Sequence, residues 1–320
     1  EILARKAAEG VDVRVMYDGA CEFALLPHDY PRRLKALGIR CKVFAPVSPF
    51  VSTCYNYRDH RKIAVIDGQT AFTGGVNLAD EYINQYRKFG HWKDTAIMLK
   101  GEAVKSFTLM FLQMWGITER EDESGHFLSY PPLSVEGAKG CVIPYGDCPL
   151  DDDRLGERVY MDILNRAVRY VHIMTPYLIL DYQMMMALVY AAKRGVEVVI
   201  IMPHIPDKKY AFMLAKTYYE QLLEAGVRIC EYEPGFVHAK VFVSDDVKAV
   251  VGTVNLDFRS LYHHFECGVI LYKSSQVAVI EQDVQNTLQK CLKMSVADYG
   301  KLKLRDRVLA RIMRLVAPLL

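Results

Sequence analysis

His60, Lys62 and Asp67 stand in the order H-x-K-x4-D, and His238, Lys240 and Asp245 repeat that order in the second half of the chain. After six intervening residues, each copy reaches a glycine and then an asparagine: Gly74-Gly75-Val76-Asn77 and Gly252-Thr253-Val254-Asn255. At about 5% per residue type, five fixed residues match at a given register roughly once in several million, so the repeat is not coincidence. Two histidines, two lysines and two asparagines form a phosphate-binding inventory. Lysine brings positive charge and asparagine brings neutral amide donors. Histidine can act near neutral pH as a nucleophile or as a proton donor. On opposite sides of one phosphorus, one imidazole can attack while the other protonates the leaving oxygen. Lys62, Lys240, Asn77 and Asn255 can stabilise the charge that builds on the phosphoryl oxygens, so the set calls for no metal and no cofactor. The chain carries no H-E-x-x-H, EF-hand, P-loop or dinucleotide glycine motif.

The elements that must hold these residues follow from local pattern. Each H-x-K-x4-D segment reads as a strand, in which side chains alternate between faces. His60 and Lys62 then share a face with Ala64 and Ile66, and Asp67 joins Ile63 and Val65 on the other. His238 and Lys240 likewise point together, with Asp245 turned away. The motif counts both aspartates in the catalytic set, whereas alternation makes them supports. Asp67-Gly68 suits a tight turn into the strand Ala71-Phe72-Thr73. Upstream, a helix, a glycine stop and a strand recur: residues 2–9, Gly10 and Val11–Tyr17, then Leu188–Arg194, Gly195 and Val196–Met202. A second such unit ends at Gly38 and, in the other half, at Gly226. Alternating helices and strands imply an α/β fold of two pseudo-symmetric halves. Each is expected to be a mixed, mostly parallel sheet flanked by helices, with one active site at their interface. The halves span residues 1–125 and 154–320. A polar, Pro- and Gly-rich connection at 126–153 joins them, and its Asp151-Asp152-Asp153 run reads as a solvated helix start. The strand Tyr170–Tyr177 precedes the first helix of the second half and has no counterpart in the first. The first half is therefore expected to lack its first strand, in a piece cut from a longer protein that begins Glu-Ile-Leu-Ala.

Composition narrows the class. Hydrophobic residues make up 51% of 320, enough for a large core, and the net charge of +2 argues against a dedicated nucleic-acid binder. Eight cysteines include no C-x-x-C pair, so buried free thiols and a reducing compartment are expected. No apolar run reaches the roughly 18 residues of a membrane span. Lys301, Lys303, Arg305, Arg307, Arg311 and Arg314 interleave with Val308, Leu309, Ile312, Met313, Leu315 and Val316 near the C-terminus. At helical spacing this is a basic amphipathic segment. It suits either an anionic membrane surface or packing on the domain with a solvated basic face. The extended piece from Val47 to Tyr55 has no equivalent in the second half and is a candidate lip for acyl chains. A lone histidine is usually a core or solvated residue, and His28, His126, His172 and His204 are read so. The duplicated context removes His60 and His238 from that reading.

The paired motifs resemble those of the phospholipase D superfamily, known for its HKD signature. Within it, the chain is most similar to the bacterial cardiolipin synthases. The similar stretches include Asn56–Lys62, Phe72–Asn77, Gly90–Thr95, Thr175-Pro176-Tyr177, Tyr218-Tyr219-Glu220, Pro234–Lys240 and Asn255–Ser260, and together they span nearly the whole chain. The resemblance implies a phosphatidyl-histidine intermediate, with phosphatidylglycerol as donor and acceptor and cardiolipin and glycerol as products. It assigns His60 as nucleophile and His238 as general acid and then base, although the motifs alone are symmetric. It further implies that an acid of each half orients the histidine of the other: Glu266 with His60, and Asp94 with His238. One departure is His264-Phe265-Glu266, where relatives tend to carry Asn-Phe-Glu or Asn-Tyr-Glu; the catalytic set remains intact, and His263 and His264 are expected either at the rim of the site or simply exposed. The implied partners are phosphatidylglycerol and an anionic membrane surface, with no nucleic acid. The implied location is the cytoplasmic face of the bacterial cell membrane, with N-terminal anchors lying outside this sequence. Hydrolysis of phospholipid or nucleic acid by the same chemistry, phosphatidylethanolamine as donor, and a non-catalytic scaffold are the competing readings. Two complete motifs speak against the scaffold.

Overall fold

The computed structural model describes residues 1–47, 56–119, 121–133, 136–300, 304–315 and 317. Apart from Val47, the expected acyl lip lies outside these residues. The first half contributes strands β1 (Arg14–Asp18), β2 (Arg40–Phe44), β3 (Arg58–Asp59), β4 (Ile63–Ile66), β5 (Thr70–Gly74), β6 (His91–Lys93) and β7 (Ala96–Lys100). Then follow β8 (Cys141–Asp147), β9 (Tyr170–Met174), β10 (Glu197–Pro203), β11 (Arg228–Tyr232), β12 (Gly235–Val237), β13 (Val241–Ser244), β14 (Lys248–Gly252), β15 (His264–Tyr272) and β16 (Cys291–Lys293).

A nine-stranded sheet organises the second half. It runs β16-β11-β10-β9-β13-β14-β15, and both β8 and β3 pair with β15. Only β11, β10 and β9 form a parallel centre, and the strands from β13 to β8 run antiparallel. The sheet is thus mixed as expected, but with fewer parallel neighbours. Val247 N–H donates to Ser244 O across a tight turn in which Asp245 and Asp246 have φ of 58° and 60°. Two-residue turns of this kind join antiparallel strands, whereas parallel neighbours need a long crossover. Helix Tyr182–Lys193 supplies one crossover. Asp181 caps its start by accepting from Met184 N–H at 2.7 Å, and Gly195 ends it at φ 91°. Val198, Val199, Ile200 and Ile201 of β10 are all buried, because helices cover both faces of the sheet.

The first half repeats this plan with an interruption. β1 and β2 pair in parallel as a separate two-stranded sheet, and β4-β5-β7 form an antiparallel three-stranded one. In the second half, β9 sits between the counterparts of β1 and β4 and hydrogen-bonds to both. No described strand fills that place in the first half. The core is correspondingly lopsided: the small cluster of Val13, Leu34 and Ile39 stands apart from the large clusters around β10 and β13.

The stretch expected to be a plain connection does more. Residues Cys141–Asp147 form β8, which pairs with β15 over its whole length. Asp147, rather than the exposed Asp151–Asp153 run, caps the next helix, accepting from Leu155 N–H at 3.0 Å and Gly156 N–H at 2.7 Å. The C-terminal helix Leu304–Leu315 lies against helix Lys209–Glu224. Arg311 reaches Glu220 at 3.6 Å, and the Arg314 guanidinium stacks 4.2 Å from the Tyr218 ring. Ala310 is buried there, while Leu309, Ile312 and Leu315 are 49%, 57% and 82% exposed. The packed and membrane-facing expectations therefore combine: Ala310 and Met313 pack on the domain beside Arg311 and Arg314, while Leu309, Ile312 and Leu315 face outward. No described helix is long and apolar enough to cross a membrane. The described cysteines are free thiols, with Cys230 and Cys267 buried.

Candidate active site

Two short parallel strand pairs cross between the halves and build the site. In one, β3 pairs with the start of β15, Arg58 facing His264 and Asp59 facing Phe265. The next step sets His60 opposite Glu266, and His60 N–H donates to Phe265 O at 3.0 Å. In the other, β12 pairs with β6, Phe236 facing Trp92 and Val237 facing Lys93. The next step sets His238 opposite Asp94, and His238 N–H donates to Lys93 O at 2.7 Å. The same register, used twice, delivers each histidine to a carboxylate of the other half. Lys93 adds a further tie across the halves through Asp283, at 2.7 Å.

The side chains complete the pairing. His60 Nδ1 lies 2.9 Å from Glu266 Oε1, and His238 Nδ1 lies 2.8 Å from Asp94 Oδ2. Each carboxylate holds Nδ1–H and leaves Nε2 as the reactive nitrogen. Glu266 is fully buried and also accepts from Thr253 Oγ1. Asp94 instead accepts from Thr95 N–H at 2.8 Å. Gly75 occupies the place of Thr253 in the other copy, and a Cβ there would overlap Asp94 Oδ1 and come within 2.9 Å of His238 O. Lys240 Nζ lies 2.9 Å from His238 Nε2, and both lysines reach back to the carbonyl of their own histidine at 2.5 Å.

The electrostatics join the two copies into one site. Burial pushes His60 down to about 3, with Glu266 pulling the other way. Burial and then Lys240 push His238 down to about 4, and Lys62 of the opposite half adds to the effect. Burial lowers Lys240 to about 7 and depresses Lys62 as well. For Glu266 burial alone would raise the carboxyl, but His60 holds it well below the usual range; for the buried Asp94, burial likewise works upward and His238 lowers the carboxyl. At neutral pH both imidazoles are thus uncharged, with fixed tautomers, beside two lysines. Such a cradle suits an anion.

The remaining sequence candidates separate. Asn255 is 5% exposed and its Oδ1 is buried without a hydrogen-bond partner. Asn77 donates to Tyr82 Oη at 2.5 Å. Asp67 and Asp245 lie at the turns beyond β4 and β13, away from the histidines, with φ of 55° and 58°. Asp245 accepts backbone N–H groups of Val168, Arg169 and Tyr170, at 2.8, 2.8 and 2.9 Å, and so fastens the start of β9. Asp67 is exposed and has no such strand to hold. The grouping of both aspartates with the reacting residues is corrected here: turn geometry and backbone anchoring account for them. The strands of the motif are also shorter than expected. His60–Lys62 and His238–Lys240 are irregular, and regular pairing starts at Ile63 and Val241.

Two contributors escaped sequence reasoning. Thr253 was visible as the one mismatch between the glycine–asparagine turns. Tyr82 carried no local signal. It lies on a short 3-10 turn, with its ring centre 5.2 Å from that of His238, edge to face, and 4.5 Å from that of Trp92. Burial pushes its phenol up to about 12, so it stays a hydroxyl. Trp92 and Phe236, 4.7 Å apart, continue this aromatic wall on the His238 side.

Comparison with known proteins follows the same division. A family model described as "Cardiolipin synthase, PLD-like domain" matches residues 1–115 and 160–288. The chain is 57% identical over its whole length to an uncharacterized protein of Streptococcus mutans, spanning 69% of that protein. It is 36% identical, again over its whole length, to a cardiolipin synthase of Geobacillus kaustophilus, of which it spans 64%. The fold resembles the crystal structure of a phosphatidylserine synthase from Haemophilus influenzae, with a TM-score of 0.72 at 18% identity, covering 100% of this chain and 85% of that one.

Proposed function

This chain belongs to the cardiolipin synthase, PLD-like domain family, and on that premise we propose that it carries the catalytic part of a phosphatidyltransferase making cardiolipin. His60 Nε2 attacks the phosphorus of one phosphatidylglycerol. A P–N bond forms, the P–O bond to glycerol breaks, and His238 gives its Nε2 proton to the departing oxygen. The hydroxyl of a second phosphatidylglycerol then returns that proton to His238 and attacks phosphorus. The P–N bond breaks, and His60 is restored. One phosphodiester replaces another, so no nucleotide is consumed. The arriving phosphodiester opposes the positive field of Lys62 and Lys240, which raises His238 into the protonated form the first step needs. Lys62, Lys240 and Asn255 hold the phosphoryl oxygens, and Asn77 acts together with Tyr82.

The observation that carries this reading is the crossed pairing, in which each Nδ1 is held by a carboxylate of the other half. It supports a two-histidine displacement at one phosphorus. The outward apolar stripe Leu309, Ile312 and Leu315 supports work on a membrane surface, which we assign to the cytoplasmic face of the bacterial membrane. The test supplies labelled phosphatidylglycerol in vesicles to the purified full-length protein. Cardiolipin and glycerol are expected in equal amounts. Phosphatidic acid alone, or cleavage of single-stranded DNA with no lipid product, would overturn the proposal.

A further inference from the structure

His264 has no part in the transfer chemistry, yet it stands beside the nucleophile. Its ring centre lies 5.3 Å from that of His60. Its Nδ1 is 3.6 Å from Glu266 Oε1, outside hydrogen-bond reach, and that buried nitrogen has no hydrogen-bond partner. Glu266 Oε1 is at the same time 2.9 Å from His60 Nδ1. One ligand atom from each of His60, His264 and Glu266 therefore falls within 4.8 Å of the other two. The corresponding place in the other copy is taken by Trp92, whose ring is 5.2 Å from His238 and which cannot ligate a cation. The arrangement thus belongs to the His60 side alone.

We propose that His60, His264 and Glu266 form a binding site for a borderline divalent metal ion, Zn2+ above all, and that its occupation switches off transfer. Two imidazoles and a carboxylate are a zinc donor set, whereas Mg2+ and Ca2+ select oxygen ligands. Bonds of about 2.0–2.2 Å in a tetrahedron set neighbouring donors about 3.3–3.6 Å apart. The two histidine–carboxylate spacings of 2.9 and 3.6 Å bracket this range, and the two histidine donors, within 4.8 Å of each other, must close toward one another to complete the set. The fully buried carboxylate of Glu266 supplies negative charge. Lys62 opposes a second cation nearby, which makes the site one for reversible occupation. Switching rests on the assignment of His60 as nucleophile. In the resting ring Nδ1 carries the proton toward Glu266, and Nε2 holds the lone pair. Ligation at Nδ1 moves that proton to Nε2, none is released, and the attacking lone pair is gone.

Co2+ titration of the full-length protein tests the site without any lipid, so an error about the substrate leaves the result standing. The expected result is one equivalent bound with the intense visible absorption of a four-coordinate ion, displaced by Zn2+. His264→Asn and His264→Gln should each weaken Zn2+ binding by at least about tenfold, with unchanged circular dichroism. Metal-free transfer should persist in both, and Zn2+ inhibition should shift by the same factor as binding. Absence of the four-coordinate spectrum in the wild-type protein overturns the site. So does Zn2+ affinity that neither His264 variant nor His60→Asn alters. Full activity with Zn2+ bound overturns the switch.

Discussion

His60 and His238 share a motif but not an environment. His60 rests on a carboxylate that Thr253 also holds, whereas His238 lies against Tyr82, Trp92 and Lys240. This asymmetry favours His60 as nucleophile, because Lys240 already occupies Nε2 of His238 in the absence of substrate. His60→Ala is expected to abolish turnover and the acid-labile phospholipid adduct detected by mass spectrometry; an adduct that persists moves the nucleophile to His238. Lys240 makes a second expectation. Its pKa of about 7 leaves the ammonium in place below neutrality and removes it as pH rises. Substrate KM should therefore climb about tenfold between pH 6 and pH 8.5. Lys240→Arg, which does not titrate there, should flatten that profile. A wild-type KM independent of pH would remove Lys240 from phosphate binding. The residue types at the site were legible because chemistry restricts them and the chain repeats them. Tyr82 was not legible, because its part arises from where a 3-10 turn carries its ring.

At the scale of elements, turns and helix faces decide what the motif letters do. Asp245 closes a turn and fastens three backbone N–H groups of the β9 entry, while Asp67 closes the matching turn between β4 and β5, where no described strand takes the place of β9. Asp245→Ala should therefore destabilise the protein by about 0.5–1.5 kcal/mol, since of the three N–H groups it releases those of Val168 and Arg169 are exposed to water and only that of Tyr170 is half-buried. Thermal melting reads this, and kcat of the folded fraction should hold within a few-fold. A collapse of kcat without loss of stability would return Asp245 to the chemistry. The glycine-stopped helices at Gly10, Gly38, Gly195 and Gly226 were readable because each φ is positive, 78–99°, where glycine alone is unstrained. The orientation of the last helix was not readable, since an amphipathic pattern does not say which side meets the protein. Leu309, Ile312 and Leu315 replaced together by serine should cut binding to anionic vesicles at least about tenfold, each buried side chain being worth about 1.5–3 kcal/mol. Arg311 and Arg314 would still dock the helix, and undiminished vesicle binding would reject the membrane-facing stripe.

At the scale of the whole molecule, the halves exchange their acids. Asp94 pairs with His238 and Glu266 with His60, which in the proposed reaction are the histidine that protonates the leaving group and the one that attacks. A phosphatidyl ester of p-nitrophenol needs little help in leaving. Asp94→Asn should therefore regain most of its lost adduct-formation rate on that ester, within about tenfold of wild type, while Glu266→Gln stays slow on both substrates. Pre-steady-state release of nitrophenol measures the difference, and equal rescue of both variants would reverse or dissolve the two roles. The two-half plan, the histidines, the lysines and the asparagines were determined by the sequence itself, because repetition and residue chemistry are local properties of the chain. Other properties only the tertiary structure decided: that Asp245 fastens the entry of β9, that Tyr82 and Thr253 stand within the site, that the connection supplies β8, and that His264 lies beside His60 and Glu266. Each depends on a contact between segments far apart in sequence. Two short parallel strand pairs set in identical register across the interface bring most of these segments together, and no periodicity within a single segment encodes that register.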